Sequence, residues 1–590
     1  MSYPARPVWL SLPLLLLLAV AAGSALGQAR DQRDQRDQPV GSLTELVEVQ
    51  LVNVEVWVSR GNEPVEGLTA DDFVVREDGK PVEVTHFAEV RGPQFPVLAR
   101  DAGRSSRAAE VVRDEPGSAA SASPSHLVIY LDELHLSPAS RKRPIEDLRA
   151  LVRSGAIETE RVLILNQGRD LYTAAAFGST AKELDRALER LQSSPGLGTS
   201  SASDKRLALQ RLQQMWQEAQ ENARGGAPCD LYVRRAVPEV EQISREHARR
   251  VSLTLDHLAG AVRYLAALDG VKTLLYLSDS LETKPASDLL RFVEGVCPLV
   301  DRNERWGTVT EDVGAQLHEL TRHANANRVT VHALQTTGQQ AGFLGMAEQT
   351  AFDVRGGGPF ELAHRTTERD GLAMLAEETG GRAIFNRARF GPELETIARE
   401  MSSYYSLAYQ PAHGGDGLLH RIDVDVRGGR YEVRYRRGYR DKDADQRLTE
   451  KLEGAVYLGL VDNPLGVRLA AGTVGSAARD RHSVPLHVLV PSERLAFLPH
   501  EGGPRARLTL VVSVRHQDQR GLETLRRTVD IAAGSTPADT VAISAALELA
   551  PGVSIVGVAV RDEATREASF VATTLELPAV SGDGPPGGAI

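Results

Sequence analysis

The stretch His126-Leu-Val-Ile-Tyr-Leu-Asp-Glu-Leu-His135 is an apolar run that stops abruptly on acidic residues. A second run, Val271-Lys-Thr-Leu-Leu-Tyr-Leu-Ser-Asp-Ser280, ends in the same way. Short apolar runs bounded by polar residues are typical of buried strands in a parallel sheet. Because the functional crevice of an open α/β sheet lies at the carboxyl ends of its strands, we expect Asp132 and Asp279 to share one edge.

Around these two strands, residues 126–402 alternate between apolar strand patterns and amphipathic helix patterns. Such alternation predicts an α/β domain with a parallel sheet that helices cover on both faces. Residues 193–240 interrupt the rhythm, and we interpret them as an insertion with a helix of its own. A chain of 590 residues is too long for one core, so flanking domains are expected.

The flanks are rich in β patterns. Residues 46–90 and 403–440 each contain alternating apolar and polar positions, and residues 484–580 carry about six further strand patterns that predict a β-sandwich. We interpret residues 91–125 and 441–483 as linkers, since the former is rich in Ser, Ala, Arg and Pro and the latter opens on a charged run.

The N-terminus predicts export. Residues 1–27 combine Arg6, an apolar core at 10–22 and small residues before a cleavage point after Gly27, which together indicate a signal peptide and a secreted or periplasmic protein. A polar repeat at 28–45 and a Gly/Pro-rich tail at 581–590 predict a disordered spacer and a flexible end.

The net charge and the distribution of apolar residues limit the classes of partner that this chain can bind. The net charge of −11 disfavours nucleic acid, because phosphate binding requires a basic face. No apolar stretch after the signal peptide is long enough to cross a bilayer. The two cysteines, Cys229 and Cys297, either pair in an oxidising compartment or remain isolated thiols, and the sequence leaves both alternatives open.

The α/β segment resembles a von Willebrand factor type A domain, and its flanks resemble the exported VWFA-related domain proteins of Acidobacteria. The resemblance covers roughly residues 46–440 and rests on the order and spacing of several segments. These are Val47–Val58, Pro64-Val-Glu-Gly-Leu-Thr-Ala-Asp-Asp-Phe73, Glu77-Asp-Gly-Lys-Pro81, Ala376-Glu-Glu-Thr-Gly-Gly381, Tyr405-Ser-Leu-Ala-Tyr409 and Val433-Arg-Tyr-Arg-Arg-Gly-Tyr439.

This resemblance implies a Rossmann-like type A domain between flanking β segments, with residues 403–440 pairing with the N-terminal strands. It also implies a metal-ion-dependent adhesion site, in which Asp-x-Ser-x-Ser, a Thr and a later Asp bind Mg²⁺ through oxygen atoms. Asp132, Thr199 and Asp279 match three of these positions. Leu134 and Leu136 replace both serines, so the predicted site is degenerate.

We therefore expect a protein-binding module of the adhesion or scaffold type that recognises an unknown protein partner at this crevice. Its rim is expected to include Glu133, His135, Ser137 and Ser280. We expect no enzyme and no cofactor other than Mg²⁺, because no nucleophile–base pair is recognisable from spacing. The alternatives are a metal-assisted hydrolase at the same crevice and a purely structural envelope protein.

Overall fold

The described residues of the computed structural model are 51–61, 63–91, 124–194, 199–222, 228–297, 309–337, 357–477, 481–516, 522–534 and 539–579. The predicted signal peptide at 1–27, the spacer at 28–45, the tail at 581–590 and most of the 91–125 linker lie outside these residues. Among the helices that the structure describes, none combines the length and the apolar character needed to span a membrane.

The chain is a mixed α/β protein, as the sequence predicts, and divides into two compact units. Residues 49–443 form the first unit, and residues 444–590 belong to the second. The helices are α1 (Lys142–Ser154), α2 (Ala181–Ser193), α3 (Thr199–Asn222), α4 (Pro228–Leu265), α5 (Ser287–Val296), α6 (Gly314–Ala326), α7 (Gly357–Glu378), α8 (Gly391–Ser402) and α9 (Ala444–Leu458).

The strands of the first unit are β1 (Val52–Arg60), β2 (Glu63–Pro64), β3 (Phe73–Glu77), β4 (Lys80–Val82), β5 (His86–Arg91), β6 (Ser125–Asp132), β7 (Val162–Gln167), β8 (Leu171–Ala175), β9 (Val271–Ser278), β10 (Val329–Gln335), β11 (Ala383–Ile384), β12 (Ser403–Tyr409), β13 (Leu419–Val426), β14 (Glu432–Tyr435) and β15 (Gly438–Arg440). Those of the second unit are β16 (Arg468–Ala471), β17 (Gly475–Ser476), β18 (His482–Pro491), β19 (Arg505–His516), β20 (Leu522–Ala532), β21 (Thr540–Leu549), β22 (Gly552–Asp562) and β23 (Ala568–Leu577).

The central sheet of the first unit has the strand order β11-β10-β9-β6-β7-β8. Its strands are parallel except β8, which runs antiparallel to β7 at the edge. Strands β7, β9 and β10 are buried along their whole length, which explains their continuous apolar runs. The sheet grows in opposite directions from β6, so its topological switch point lies between β6 and β9.

Helices cover both faces of this sheet. On one face, α1, α2 and α8 share a hydrophobic core with Leu127, Ile129 and Leu131 of β6. On the other face, α6 and α7 contact β10, and Gln167 of β7 donates a hydrogen bond to Thr254 of α4. Helices on both faces of the sheet therefore cover the polar residues at the ends of β6 and β9.

Strands from the two ends of the first unit form a β module. One sheet has the order β14-β1-β12-β5, and a second has the order β15-β13-β3-β4. Residues 403–440 thus share both sheets with residues 52–91. Arg91 and Ser403 are directly paired, so the chain leaves the β module and returns to it at neighbouring positions.

The predicted insertion at 193–240 does not end at an element boundary. Helix α4 continues without a break from Pro228 to Leu265, because Val233, Ala236 and Val240 prolong the apolar face that later turns bury. Helices α3, α4 and α5 share one hydrophobic core there.

The second unit is a β-sandwich with the sheets β16-β18-β17, to which β21 adds, and β20-β19-β22-β23. The prediction of a linker at 441–483 is wrong, because these residues form α9 and the paired strands β16 and β17. The charged composition conceals an amphipathic helix: Leu448, Leu452 and Val456 lie on one face and pack against Val511 and Phe570.

A disulfide joins Cys229 at the start of α4 to Cys297 just after α5, with a Cα–Cα distance of 5.6 Å. It closes a loop with a sequence separation of 68 residues. We expect the Cys229→Ser/Cys297→Ser double variant to lose about 4 kcal/mol of unfolding free energy, since a covalent loop of this size restricts the unfolded chain. Urea unfolding of residues 28–590, followed by helical circular dichroism, tests this. Equal values for the variant and the oxidised wild type would contradict it.

Candidate functional site

Asp132 ends β6 inside the protein. Its side chain is fully buried, and its Oδ2 accepts hydrogen bonds from the hydroxyls of Tyr276 (2.6 Å) and Ser278 (3.2 Å). The Nδ1 of His135 lies 2.8 Å from the same oxygen. Burial alone lowers the pKa of His135, but the Asp132 carboxylate outweighs burial and raises it. Asp132 and His135 therefore form a buried charge-assisted pair.

A neighbouring polar chain links β6 and β7 to α4. The hydroxyl of Tyr130 donates to Oε1 of Gln167 (2.7 Å), and Nε2 of Gln167 donates to Oγ1 of Thr254 (2.9 Å). Among the described residues, none donates a hydrogen bond to Oδ1 of Asp132. The interior behind the crevice is thus polar, and protein groups hold Gln167, Thr254 and one oxygen of Asp132 in place.

Asp279 follows β9 and is only partly buried. Its Oδ2 accepts hydrogen bonds from the backbone N–H of Ser137 (3.0 Å) and the hydroxyl of Ser140 (2.8 Å), and its Oδ1 accepts one from the Thr336 hydroxyl. Burial raises the pKa of Asp279 to about 6, although these three donors favour the ionised form. Asp279 thereby joins the loops that follow β6, β9 and β10.

The predicted rim needs correction. Glu133 and His135 are buried, and Oε1 of Glu133 lies 3.3 Å from Nη1 of Arg141, itself 1% exposed. Neither Glu133 nor His135 presents its side chain to solvent. Ser137 and Ser280 are partly buried, so these two residues remain at the surface of the crevice.

The residues present do not fit the Mg²⁺ site that the resemblance implies. Mg²⁺ requires near-octahedral oxygen ligands, whereas Leu134 and Leu136 supply none. Both carboxylate oxygens of Asp279 already accept hydrogen bonds, so that, within the described part of the chain, Oδ1 of Asp132 is the one oxygen of the two aspartates without a donor. Thr199 is the first residue of α3, and its side chain lies outside the described part of the structure.

A buried ion network lies beside the loop that follows Asp279. The Nζ of Lys205 contacts Glu282 at 2.7 Å and Asp288 at 2.8 Å, and Asp288 also lies 2.7 Å from Nδ1 of His364. Burial alone lowers the pKa of His364, but the hydrogen bonds to Asp288 and Glu368 raise it to about 9. Each of the two cations, Lys205 and His364, is thus paired with carboxylates, and these ion pairs fix the loop between β9 and α5.

Sequence reasoning found Asp132 and Asp279 but missed the groups that hold them. Thr336 directly follows β10, so the rule that placed the aspartates at the carboxyl edge would also have identified it. Ser140 and Tyr276 gave no comparable signal. Ser140 lies in a loop whose course depends on tertiary packing, and Tyr276 belongs to an apolar run whose sequence pattern is that of an ordinary core strand.

The scan against protein-family models finds no match for this chain, and the search of curated proteins finds none. Among solved structures, proximal thread matrix protein 1 from the mussel byssus matches with 10% sequence identity and a TM-score of 0.20. The match covers 47% of this chain and 47% of that protein, so the chain spans about half of its length. A likeness at this TM-score carries no argument about fold or function.

Replacing Asp279 by Asn should change the pH dependence of stability. With a native pKa of about 6 against an ordinary 3.8, folded Asp279 binds its proton more tightly than unfolded Asp279 does. The unfolding free energy of the wild type should therefore fall, relative to Asp279→Asn, as the pH rises from about 4 to 6, and the difference should level off above about pH 7. Urea unfolding across this range measures it.

Asp185→Asn is the matched control. Hydrogen bonds from Arg149 and Arg153 lower the pKa of Asp185 to about 2, so its contribution should be constant between about pH 5 and 7. A pH-independent difference for Asp279→Asn would contradict the raised pKa.

Proposed function

We propose that this chain is an exported protein-binding module whose type A domain contacts another protein at the crevice between β6 and β9. The doubly wound strand order supports a Rossmann-like domain, because it creates a switch point between these two strands. The von Willebrand assignment rests on the segments that resemble the VWFA-related family, which flank this domain on both sides.

One observation carries the proposal: in the protein without a partner, hydrogen bonds already connect the loops around the crevice. The Asp279 N–H donates to the carbonyl of His135 (3.3 Å), and the Asp279 side chain accepts from Ser137 and Ser140. A preorganised surface loses little conformational entropy when it binds. Its accessible residues include the exposed Ala139 and Lys284 and the partly buried Ser137 and Ser280.

The contact that we propose is free of metal. Protein donors occupy both carboxylate oxygens of Asp279 and Oδ2 of Asp132, and Leu134 and Leu136 replace the serines of an adhesion site. We do not propose the hydrolase alternative, because His135 is buried and paired with Asp132, and the carboxylate of Asp279 is held by three protein donors. Recognition by shape and by polar loop groups fits this surface better than chemistry does.

Export is part of the same proposal. The pattern of residues 1–27 predicts a signal peptide, and the Cys229–Cys297 bond is of the kind that persists in oxidising compartments. The partner is therefore expected in the envelope or outside the cell.

Ala139→Arg tests the contact surface. Ala139 is exposed in the loop after β6, so an Arg there should leave the fold intact while obstructing the crevice. In quantitative pull-downs from envelope extracts, we expect proteins captured by the wild type to be reduced about tenfold by Ala139→Arg, a loss of about 1.4 kcal/mol.

Ala181→Arg provides the matched control at the opposite edge of the sheet. Ala181 is exposed at the start of α2, and the preceding loop reaches the amino end of β7, where Gly178 N–H donates to the carbonyl of Glu160. This variant should capture the same proteins as the wild type. Equal capture by Ala139→Arg, or equal loss in Ala181→Arg, would refute a binding surface at the crevice.

A further inference from the structure

The β module carries a cluster of metal-ligating side chains that is separate from the crevice. His413 and Asp416 lie in the loop between β12 and β13, His420 lies in β13, and Asp441 follows β15. We call these four residues the His/Asp cluster. Glu77 and Asp78, at the end of β3 and in the turn that follows it, lie against its two imidazoles.

Asp416 stands between the two histidines. Both carboxylate oxygens of Asp416 lie 3.3 Å from Nε2 of His420, and its Oδ2 lies 3.9 Å from Nδ1 of His413. The Oδ2 of Asp441 lies 2.9 Å from the same Nδ1 of His413. Single ligand atoms of His413, Asp416 and Asp441 all lie within 4.8 Å of one another.

These separations are close to those of a zinc site. With Zn–N and Zn–O bonds of about 2.0–2.1 Å, neighbouring ligand atoms in a tetrahedron are about 3.3 Å apart. Imidazole nitrogen and carboxylate oxygen are ligands that zinc accepts. The rings of His413 and His420 are stacked at 3.8 Å with 16° between their planes, so they cannot both direct a ring nitrogen at one ion. His413 is the imidazole ligand, because its Nδ1 lies near both Asp416 and Asp441.

Each imidazole also has a carboxylate on its far side. Nδ1 of His420 lies 2.9 Å from Asp78, and Nε2 of His413 lies 3.5 Å from Glu77. That Nε2 is buried without a hydrogen bond in the described structure. A carboxylate behind a metal-bound histidine fixes the ring and its tautomer, which is the usual outer shell of such sites.

Glu77 is held in place for this role. It is buried, and its Oε1 accepts hydrogen bonds from the hydroxyls of Tyr439 (2.5 Å) and Tyr409 (3.1 Å). In total, four carboxylates surround two imidazoles, and Glu77 and Asp441 are among the buried charged groups. A divalent cation would compensate this excess of negative charge in a place where burial makes it costly.

We propose that the His/Asp cluster binds one zinc ion, with His413 Nδ1, Asp416 and Asp441 as protein ligands. Glu77 orients His413, and His420 holds Asp416 in place. The ion joins the loop between β12 and β13 to the residue after β15, and thereby closes one end of the β module. Because Asp416 is 30% exposed, the ion reaches the site from solvent on that side.

Zinc titration of the mature chain, with affinity tag and metal removed beforehand, tests the site. Competition with a chromophoric chelator should give one equivalent of tightly bound Zn²⁺ in the wild type. We expect the affinity to fall at least 100-fold in His413→Gln, and about 10- to 100-fold in Asp416→Asn and in the orienting variant Glu77→Gln. Bound Co²⁺ should give the intense visible absorption of tetrahedral coordination.

His318→Ala is the control, because His318 is an exposed histidine of α6 outside the cluster. It should bind zinc like the wild type. Circular dichroism establishes that each variant is folded. If His413→Gln does not fold, the more exposed Asp416→Asn decides the question. Absence of saturable binding in the wild type, unchanged affinity in Asp416→Asn, or an equal loss in His318→Ala would overturn the proposal.

Discussion

The position of β12 between β1 and β5 is the constraint on which the first unit depends. β12 pairs antiparallel with Val52–Val56 on one side and with His86–Arg91 on the other. Because Arg91 and Ser403 are direct partners, the α/β part that lies between them in the sequence begins and ends at neighbouring positions of the β module. The Trp57 indole, which donates to the Glu400 carbonyl (2.9 Å), and the Ser125 hydroxyl, which donates to the Met401 carbonyl (2.9 Å), fix the end of α8 at this junction.

Within the α/β part, the start of β9 is equally constrained. The Val271 N–H donates to the Pro124 carbonyl (3.0 Å), and Gly270 has a φ of +87°. A Cβ at Gly270 would lie 1.9 Å from that carbonyl oxygen, so only glycine allows this approach. The contact aligns β6 with β9 at their amino ends. Since both strands are eight residues long, their carboxyl ends are level too, and Asp132 and Asp279 follow at one edge.

This arrangement could be predicted because the strands of a buried parallel sheet have a recognisable local sequence pattern. Strands buried on both faces must be apolar along their length, so their ends are visible as abrupt changes to Asp or Ser. The burial of Glu133 and His135 gives no such signal in the sequence, since Arg141 and Asp132 neutralise these two residues only in the folded chain. Helix α9 was missed for another reason: its charged face dominates the composition, while a few residues at helical spacing form its buried face. The His/Asp cluster with Glu77 and Asp78 spans residues 77–441, so no spacing rule could bring it together.

The carboxylates at the crevice and those in the His/Asp cluster differ in the groups that surround them. This difference decides what each site can bind. At the crevice, hydroxyl and amide donors satisfy Asp279, so its negative charge is dispersed over neutral groups. In the β module, Asp416 and Asp441 lie near Nδ1 of His413, a nitrogen that can itself bind a metal. The binding free energy of a cation is therefore more favourable in the β module than at the switch point. At the switch point, a metal would have to replace hydrogen bonds that the protein already forms.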